Sequence, residues 1–133
     1  ARYPDKASVK IGFDDELAHL IEAGADMFMM PSLYEPCGLN QQYSLVYGTV
    51  PIVRSTGGLA DTVREFSPAT ATGNGFVFQK FDSGEMLEAI RRAVAMYART
   101  DVWDIVVQNG MSEDLSWGRS ARQYSELYRS LIK

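Results

Sequence analysis

The stretch that decides the fold runs from Met27 to Tyr47 and reads MFMMPSLYEPCGLNQQYSLVY. Its first four residues form an apolar run with the length and flanks of a buried strand. Pro36 suits the first turn of a helix, because proline has no N–H group to leave unpaired there. Apolar residues then recur at helical spacing and predict a core-facing side: Leu39, Tyr43, Val46 and Tyr47. The stretch therefore predicts a strand, a tight loop and a helix.

The loop of this unit has the features of an anion-binding site. A helix N-terminus carries free N–H groups and a partial positive charge, and in open parallel sheets ligands bind beyond the carboxyl ends of the strands. Glu35 adds a carboxylate at the rim. This combination suggests a ligand with both phosphate and hydroxyl groups, such as a nucleotide sugar. On the pattern alone, a purely structural unit stays the more common interpretation, since most strand–loop–helix units bind no ligand.

The composition is that of a globular chain and excludes several classes of protein. Hydrophobic residues make up 46% of the 133 residues and charged residues 23%, with no apolar run long enough to span a membrane. The net charge of −4 and the scattered basic residues disfavour nucleic-acid binding. Cys37 is the single cysteine and His19 the single histidine, so the sequence offers no internal disulfide and no zinc site. The chain starts at Ala1 without methionine, and we expect it to be a piece of a longer protein.

The segment before this unit predicts a strand followed by a helix. Ser8 to Phe13 alternates enough to form a short strand, and Asp14 and Asp15 are suited to cap a helix that ends at Gly24. Phe13 falls at the junction of the two elements. It is either a core aromatic or a stacking platform that faces the same crevice.

The segment after the unit predicts a second strand and a glycine-rich turn. Thr49 to Val53 forms the strand, in which Pro51 removes one donor from the ladder. Ser55 to Leu59 contains two adjacent glycines, which allow a close backbone approach to a ligand, a positive φ, or simply a tight turn. The spacing matches neither the dinucleotide fingerprint nor the phosphate-binding P-loop.

The remaining part predicts one more strand and then helices alone. Phe76 to Phe78 forms the strand, Asp82 and Glu85 resemble a capping box, and a helix from Asp101 to Gln108 stops at Asn109-Gly110. A last helix follows Ser116, with an apolar stripe typical of packing: Trp117, Ala121, Tyr124, Tyr128 and Leu131. This order predicts an α/β domain over residues 1–133, a parallel sheet with helices on both faces and a helical C-terminal tail.

Several motifs together resemble one enzyme family. They are Ala25-Asp26, Pro31-Ser32, Glu35-Pro36-Cys37-Gly38-Leu39, the segments Tyr47–Val53, Ser55–Leu59 and Asp61–Val63, and Asp114-Leu115-Ser116-Trp117. In these motifs, over nearly its whole length, the chain resembles bacterial glycogen synthases and plant starch synthases of glycosyltransferase family 5. The resemblance implies the C-terminal half of a GT-B glycosyltransferase, a Rossmann-like nucleotide-sugar-binding domain. The N-terminal catalytic partner domain of such enzymes is then absent from the chain.

The resemblance also implies an activity and a set of site residues. Such enzymes are retaining glucosyltransferases that move glucose from ADP-glucose, or in some members UDP-glucose, to the non-reducing end of an α-1,4-glucan, with no metal and no cofactor. By position, Glu35 is similar to the catalytic carboxylate that engages the donor glucose, and Phe13 to a residue stacked on the adenine. The positions that match nucleotide-sugar-binding residues are Phe13, Cys37, Gly38, Leu39, Asn40, Thr56, Gly57 and Gly58.

The implied partners are ADP-glucose, an α-1,4-glucan and the missing N-terminal domain, with neither nucleic acid nor a membrane. The implied location is the cytoplasm of a bacterium or the plastid of a plant. Because transfer needs both domains, we expect this chain alone to be inactive. Two alternatives stay open: a non-catalytic glucan-binding or regulatory module with the same fold, and a GT-B transferase for another sugar nucleotide. The Cys37-Gly38 pair disfavours the latter, since many other retaining GT-B families have Phe-Gly there.

Overall fold

A computed structural model describes residues 2–132, and its centre is a sheet of three parallel strands. The strands are β1 (Met27–Met30), β2 (Val50–Arg54) and β3 (Phe76–Phe78), in the order β1-β2-β3. The register pairs Met27 with Val50 and Ile52 with Phe76. Pro51 lies in the central strand, but the ladder with β3 begins one residue after it, which limits the effect of its missing donor. The predicted parallel sheet is confirmed.

Helices cover both faces of this sheet. Their bounds are α1 Asp15–Gly24, α2 Asn40–Tyr47, α3 Gly57–Thr62, α4 Ser83–Tyr97, α5 Thr100–Met111 and α6 Trp117–Leu131. Two predicted caps are confirmed, because Asp14 accepts a hydrogen bond from the Leu17 N–H and Asp82 accepts from the Gly84 and Glu85 N–H groups. No helix of residues 2–132 combines the length and the apolar character that a membrane crossing would need.

The core consists of two clusters, one on each face of the sheet. On one face, sheet side chains pack against α4 and α5, and the central members of this cluster are Val50, Ile52, Phe76, Phe78, Ala89, Ala93, Val102, Trp103 and Val106. On the other face Val53 packs against Leu59 and Val63. Alternate residues of β2 therefore point to opposite faces, as strand geometry requires.

The strand expected at residues 8–13 is not formed, and this prediction was wrong. Val9, Ile11 and Phe13 are 84%, 95% and 96% exposed, so neither side of the segment buries apolar surface. Alternation stabilises a strand only when one face packs and the backbone has a partner strand. As a result β1 is an edge strand of the described sheet. The strand was expected to be buried on both faces, but its Met29 is 45% exposed.

Helix α2 departs from the prediction in its start and in its buried side. It begins at Asn40, so Pro36 lies in the preceding loop instead of the first turn. Its buried residues are Gln41, Ser44 and Leu45, whereas the predicted apolar side is exposed. The Gln41 amide nitrogen and the Ser44 hydroxyl find partners nearby, as in the bond from the Ser44 hydroxyl to the Asn40 carbonyl at 2.8 Å. Hydrogen bonding therefore overrides the apolar pattern on this helix.

Two predictions about the C-terminal helices were also wrong. Helix α5 continues through Asn109-Gly110 to Met111. Gly110 is a packing position inside the helix rather than a stop, since it is buried where a Cβ would lie 2.9 Å from the Leu45 side chain. Helix α6 buries none of its residues, so its apolar stripe does not pack in the core. Within the stripe, Tyr124 and Tyr128 contact each other with ring centroids 6.2 Å apart.

Candidate functional site

The carboxyl ends of the three strands lead into loops that Arg54 holds together. At the end of β2, its Nε donates to the Ser32 carbonyl at 2.8 Å and its Nη1 to the Gln79 carbonyl at 3.3 Å. Its Nη2 also donates to the Leu33 carbonyl. Arg54 thus joins the loop after β1 to the loop after β3. Sequence analysis missed this residue, although a lone cation at the end of a buried apolar strand is a usable signal.

The Glu-Pro-Cys-Gly loop packs directly on the start of α3. The Gly58 N–H donates to the Glu35 carbonyl at 3.0 Å. A Cβ on Gly57 would lie 2.0 Å from the Glu35 oxygen, and one on Gly58 would lie 1.8 Å from the Cys37 oxygen. Gly57 also has a φ of +45°, which disfavours any residue with a side chain. Both glycines are therefore required by a close approach of backbone to backbone.

The start of α2 presents free donors at the same edge. Within residues 2–132, no acceptor binds the backbone N–H groups of Gly38, Leu39 or Asn40. Leu39 is the N-cap and supplies no side-chain cap. Unpaired N–H groups at a helix N-terminus carry a partial positive charge and favour an anion. The arrangement can hold a phosphate oxygen without a basic side chain.

Glu35 belongs to the loop that leads into these donors, and the residue is half-buried. No described residue forms a hydrogen bond or a salt bridge with it, so its oxygens stay available to a ligand. Cys37 is exposed with a free thiol. Thr56 is the N-cap of α3 and is half-buried, with no side-chain cap bond. The structure thus brings the predicted residues 35–40 and 56–58 together.

Phe13 is at the same edge but stands apart from this cluster. Helices α1 and α2 lie side by side in parallel, since His19 contacts the Tyr43 ring at 5.0 Å and Thr49 after α2 donates to the Ala25 carbonyl after α1. Their N-termini are therefore neighbours, and Phe13 directly precedes the N-cap of α1. Its side chain is 96% exposed. The structure thus places Phe13 before a neighbouring helix N-terminus, with its ring unpacked.

A cavity of about 260 Å³ opens next to the loop after β1. Its lining is mostly apolar and comprises Pro31, Phe78, Phe81, Asp82, Ser83 and Met86. The adjoining loop is fixed by Glu85, which accepts from the Lys80 N–H at 2.8 Å and the Gln79 N–H at 3.1 Å. The Lys80 bond is the largest cause that lowers the pKa of the Glu85 carboxyl. In the part of the chain that the structure describes, no three His, Cys, Asp or Glu side chains are grouped to hold a metal ion.

A family model for glycosyl transferases group 1 matches residues 6–104. The chain belongs to the group 1 glycosyl transferases. Among its relatives, the glycogen synthases of Bacillus cereus and Thermotoga petrophila are 53% and 54% identical to it over 131 and 132 residues. These alignments cover 98% of this chain but 28% and 27% of the relatives. The chain therefore spans little more than a quarter of their length.

Solved structures of other glycosyl transferases share the fold. The catalytic domain of starch synthase IV from Arabidopsis thaliana, bound to ADP and acarbose, aligns with a TM-score of 0.81 and 42% identity, covering 90% of this chain and 25% of that one. Sucrose-phosphate synthase from Thermosynechococcus elongatus aligns with a TM-score of 0.66 and 26% identity, covering 98% of this chain and 31% of that one. These neighbours are GT-B glycosyltransferases, which agrees with the fold expected from the sequence.

Proposed function

We propose that this chain is the donor-binding part of a retaining glucosyltransferase that moves glucose from ADP-glucose to the non-reducing end of an α-1,4-glucan. The observation that carries the proposal is the free N–H start of α2, together with an unpaired carboxylate, Glu35, in the loop that leads into it. The names of the glycogen synthase and starch synthase relatives support the substrate class. The proposed partners are ADP-glucose, the glucan and a further domain, and the proposed location is a bacterial cytoplasm or a plastid.

In this proposal the backbone binds the distal phosphate of the donor. The N–H groups of Gly38, Leu39 and Asn40 donate to its oxygens, and the helix dipole of α2 favours its negative charge. When the glucosyl C1–O bond breaks, the electron pair stays with ADP and negative charge grows on this phosphate. Donors that are already in place stabilise that charge more in the transition state than in the bound substrate. No metal and no cofactor take part in the proposed reaction.

Glu35 acts on the sugar rather than on the phosphate. A carboxylate repels a neighbouring phosphate and therefore adds nothing to nucleotide affinity. It can instead accept hydrogen bonds from the glucose hydroxyls and stabilise positive charge that develops on the ring as the bond to ADP breaks. The acceptor hydroxyl then forms the new bond to C1 and gives its proton to a phosphate oxygen of the departing ADP, with retention of configuration. We assign Glu35 this catalytic role.

The remaining predicted residues complete the donor site. Phe13 stacks on the adenine from the N-terminus of α1, a position it can reach because its ring is unpacked. Cys37 and Thr56 line the cleft above the interlocked loops. Gly57 and Gly58 act through their lack of side chains, which lets α3 approach the Glu35 loop.

Two observations favour the alternative functions and make them part of the test. The exposed aromatic residues on α6 fit a non-catalytic glucan-binding module, since flat rings stack on sugars. The likeness to sucrose-phosphate synthase fits a transferase that uses another sugar nucleotide. The free N–H groups at the start of α2 and the unpaired Glu35 carboxylate support the glucosyltransferase over the first alternative. The Cys37-Gly38 pair supports it over the second.

The test is a chimera in which this chain replaces the matching segment of the Thermotoga petrophila glycogen synthase. We expect the folded chimera to transfer glucose from ADP-glucose to maltooligosaccharides and to form an α-1,4 bond, which proton NMR of the product identifies. The chain alone should give no product. A folded chimera that binds glucan without transfer would support the binding module, and transfer only from a different sugar nucleotide would support the second alternative.

A further inference from the structure

The Gln41 side chain occupies a fully buried position beneath the Glu35 loop. It is 0% exposed, and its Nε2 lies 3.1 Å from the Cys37 carbonyl oxygen, 2.9 Å from the Gly38 carbonyl oxygen and 3.2 Å from the Thr62 hydroxyl. Its two N–H hydrogens are thus shared among three acceptors. An amide on the inner side of a short helix is therefore used as a donor to the loop that precedes the helix.

Thr62 extends this network to the glycine-rich turn of the site. Its hydroxyl donates to the Gly58 carbonyl at 2.7 Å and accepts from Gln41. Gly58 in turn donates its N–H to the Glu35 carbonyl at 3.0 Å. A closed circuit of hydrogen bonds therefore joins the start of α2, the end of α3 and the loop that carries the proposed catalytic carboxylate.

The bonds from Gln41 fix the direction of the free donors. In a trans peptide group the carbonyl and the following N–H point in opposite directions, and no cis peptide bond occurs in the described residues. The Cys37 and Gly38 carbonyls accept from Gln41, and the Gly38 carbonyl also accepts from the Gln42 Nε2 at 2.9 Å. The Gly38 and Leu39 N–H groups therefore turn away from these amides. These are two of the three N–H groups that no described residue accepts.

The other end of the amide supports the same interpretation. The Gln41 Oε1 is buried and has no hydrogen-bond partner among the described residues. It faces Gly38, where an added Cβ would lie 2.3 Å from it. Leaving a buried acceptor unpaired is costly. The chain tolerates the unpaired oxygen at this position, where only the amide nitrogen of Gln41 forms hydrogen bonds.

We propose that Gln41 is a positioning residue for donor binding. By holding two carbonyls inward and tethering Thr62, it aims the Gly38 and Leu39 N–H groups at the distal phosphate of a nucleoside diphosphate. The inference rests on the proposed function, because it takes the start of α2 as the phosphate site. Gln41 does not touch the ligand and acts through the backbone of the loop.

The test compares ADP with AMP, which lacks the distal phosphate, by NMR titration of the ¹⁵N-labelled chain. In the unmodified chain we expect ADP to shift the Gly38 and Leu39 amide signals and to bind about tenfold more tightly than AMP, as hydrogen bonds to a charged group predict. Gln41→Met, of similar volume without the amide, should lose this preference. Thr62→Val should lower the preference for ADP over AMP. Thr62→Ser, which keeps the hydroxyl, should show the same preference as the unmodified chain.

A control separates positioning from general stability. Asn109 is partly buried and also uses its amide on backbone groups, donating to the Ala71 carbonyl at 3.0 Å and to the Gly73 carbonyl at 2.8 Å. Asn109→Ala should lower stability and keep the preference for ADP. If the unmodified chain shows no response at Gly38 and Leu39, the proposed function fails with the inference.

The inference alone is overturned if the unmodified chain prefers ADP and folded Gln41→Met prefers it equally. If Gln41→Met does not fold, the two Thr62 variants decide. Thr62→Val with an unchanged preference for ADP would then overturn the positioning role, whereas a loss that Thr62→Ser reverses would support it.

Discussion

The two parts of the proposed donor site differ in how the chain holds them. The loop from Glu35 to Gly38 is fixed against α3 by backbone contacts so close that no side chain fits between them. The segment at residues 8–13 has its apolar side chains exposed, including Phe13. The proposed phosphate side is therefore preorganised by contacts within the chain. The side proposed to bind the adenine is held only by its connection to α1.

The largest effect should come from adding a methyl group between the interlocked loops. Gly58→Ala places a Cβ 1.8 Å from the Cys37 oxygen, so backbone must move. We expect the free energy of unfolding to fall by at least about 2 kcal/mol, which is in the upper part of the range usually found when a group is added to a packed core. Urea denaturation followed by circular dichroism measures this change.

The matched control is Gly24→Ala at the end of α1. A Cβ at Gly24 meets nothing within 4 Å, and its backbone is not in the left-handed region. Alanine is a better helix former than glycine, so this variant should be neutral or more stable by up to about 1 kcal/mol. Equal losses in the two variants would mean that the loops are not interlocked as described.

A smaller effect should appear at Glu22, on the α1 side of the comparison. This side chain is 2% exposed with an unpaired oxygen, and burial raises the pKa of its carboxyl from the ordinary value of 4.5, with His19 acting in the opposite direction. The unfolded chain therefore ionises at lower pH than the folded one. The contribution of Glu22 to stability is present below pH 4.5 and is lost as the pH rises through its folded pKa.

Glu22→Gln removes this dependence. At pH 7 it should raise the free energy of unfolding by about 1 kcal/mol, because a neutral amide costs less to bury than a carboxylate. The gain should shrink as the pH falls to 4.5 and below, since the carboxyl is then protonated in both states. A gain that is constant with pH, or a loss at pH 7, would show that Glu22 is solvated in the folded chain.

The smallest effect on stability should come from Phe13→Ala. Because the ring is 96% exposed, the free energy of unfolding should change by less than about 0.5 kcal/mol. In the chimera the same variant should weaken ADP binding by about 1–3 kcal/mol, as for loss of one base–aromatic stack, and Phe13→Tyr should bind normally. A folded Phe13→Ala variant with normal ADP affinity would exclude the stacking role.

The difference between the loop at residues 35–38 and the segment at residues 8–13 also shows which features the sequence could predict. β1, β2, β3 and the caps Asp14 and Asp82 were predictable, because short apolar runs and capping residues are local signals. The strand at residues 8–13 was predicted wrongly, because alternation does not supply a partner strand. Local patterns cannot report contacts between residues that are distant in sequence.

The organisation of the site depended on such contacts. Pro36 would suit a helix start, yet the loop fits its Glu35 and Cys37 backbone against α3, and α2 begins only at Asn40. The motifs indicated which residues belong to the candidate site. The partners that hold them, Gln41 and Arg54, became visible only in three dimensions.

The proposed catalytic role of Glu35 is tested most directly by comparing the effect of Glu35→Gln on turnover with its effect on ADP affinity. In the chimera, initial rates at saturating ADP-glucose give the turnover, and calorimetric titration gives the ADP affinity. Glu126→Gln on the exposed face of α6 is the control for loss of one carboxylate. We predict that Glu35→Gln lowers turnover by about a hundredfold or more with ADP affinity unchanged or slightly higher. Near-normal turnover, or a defect that lies entirely in ADP binding, would contradict the role of Glu35 at the centre of this site.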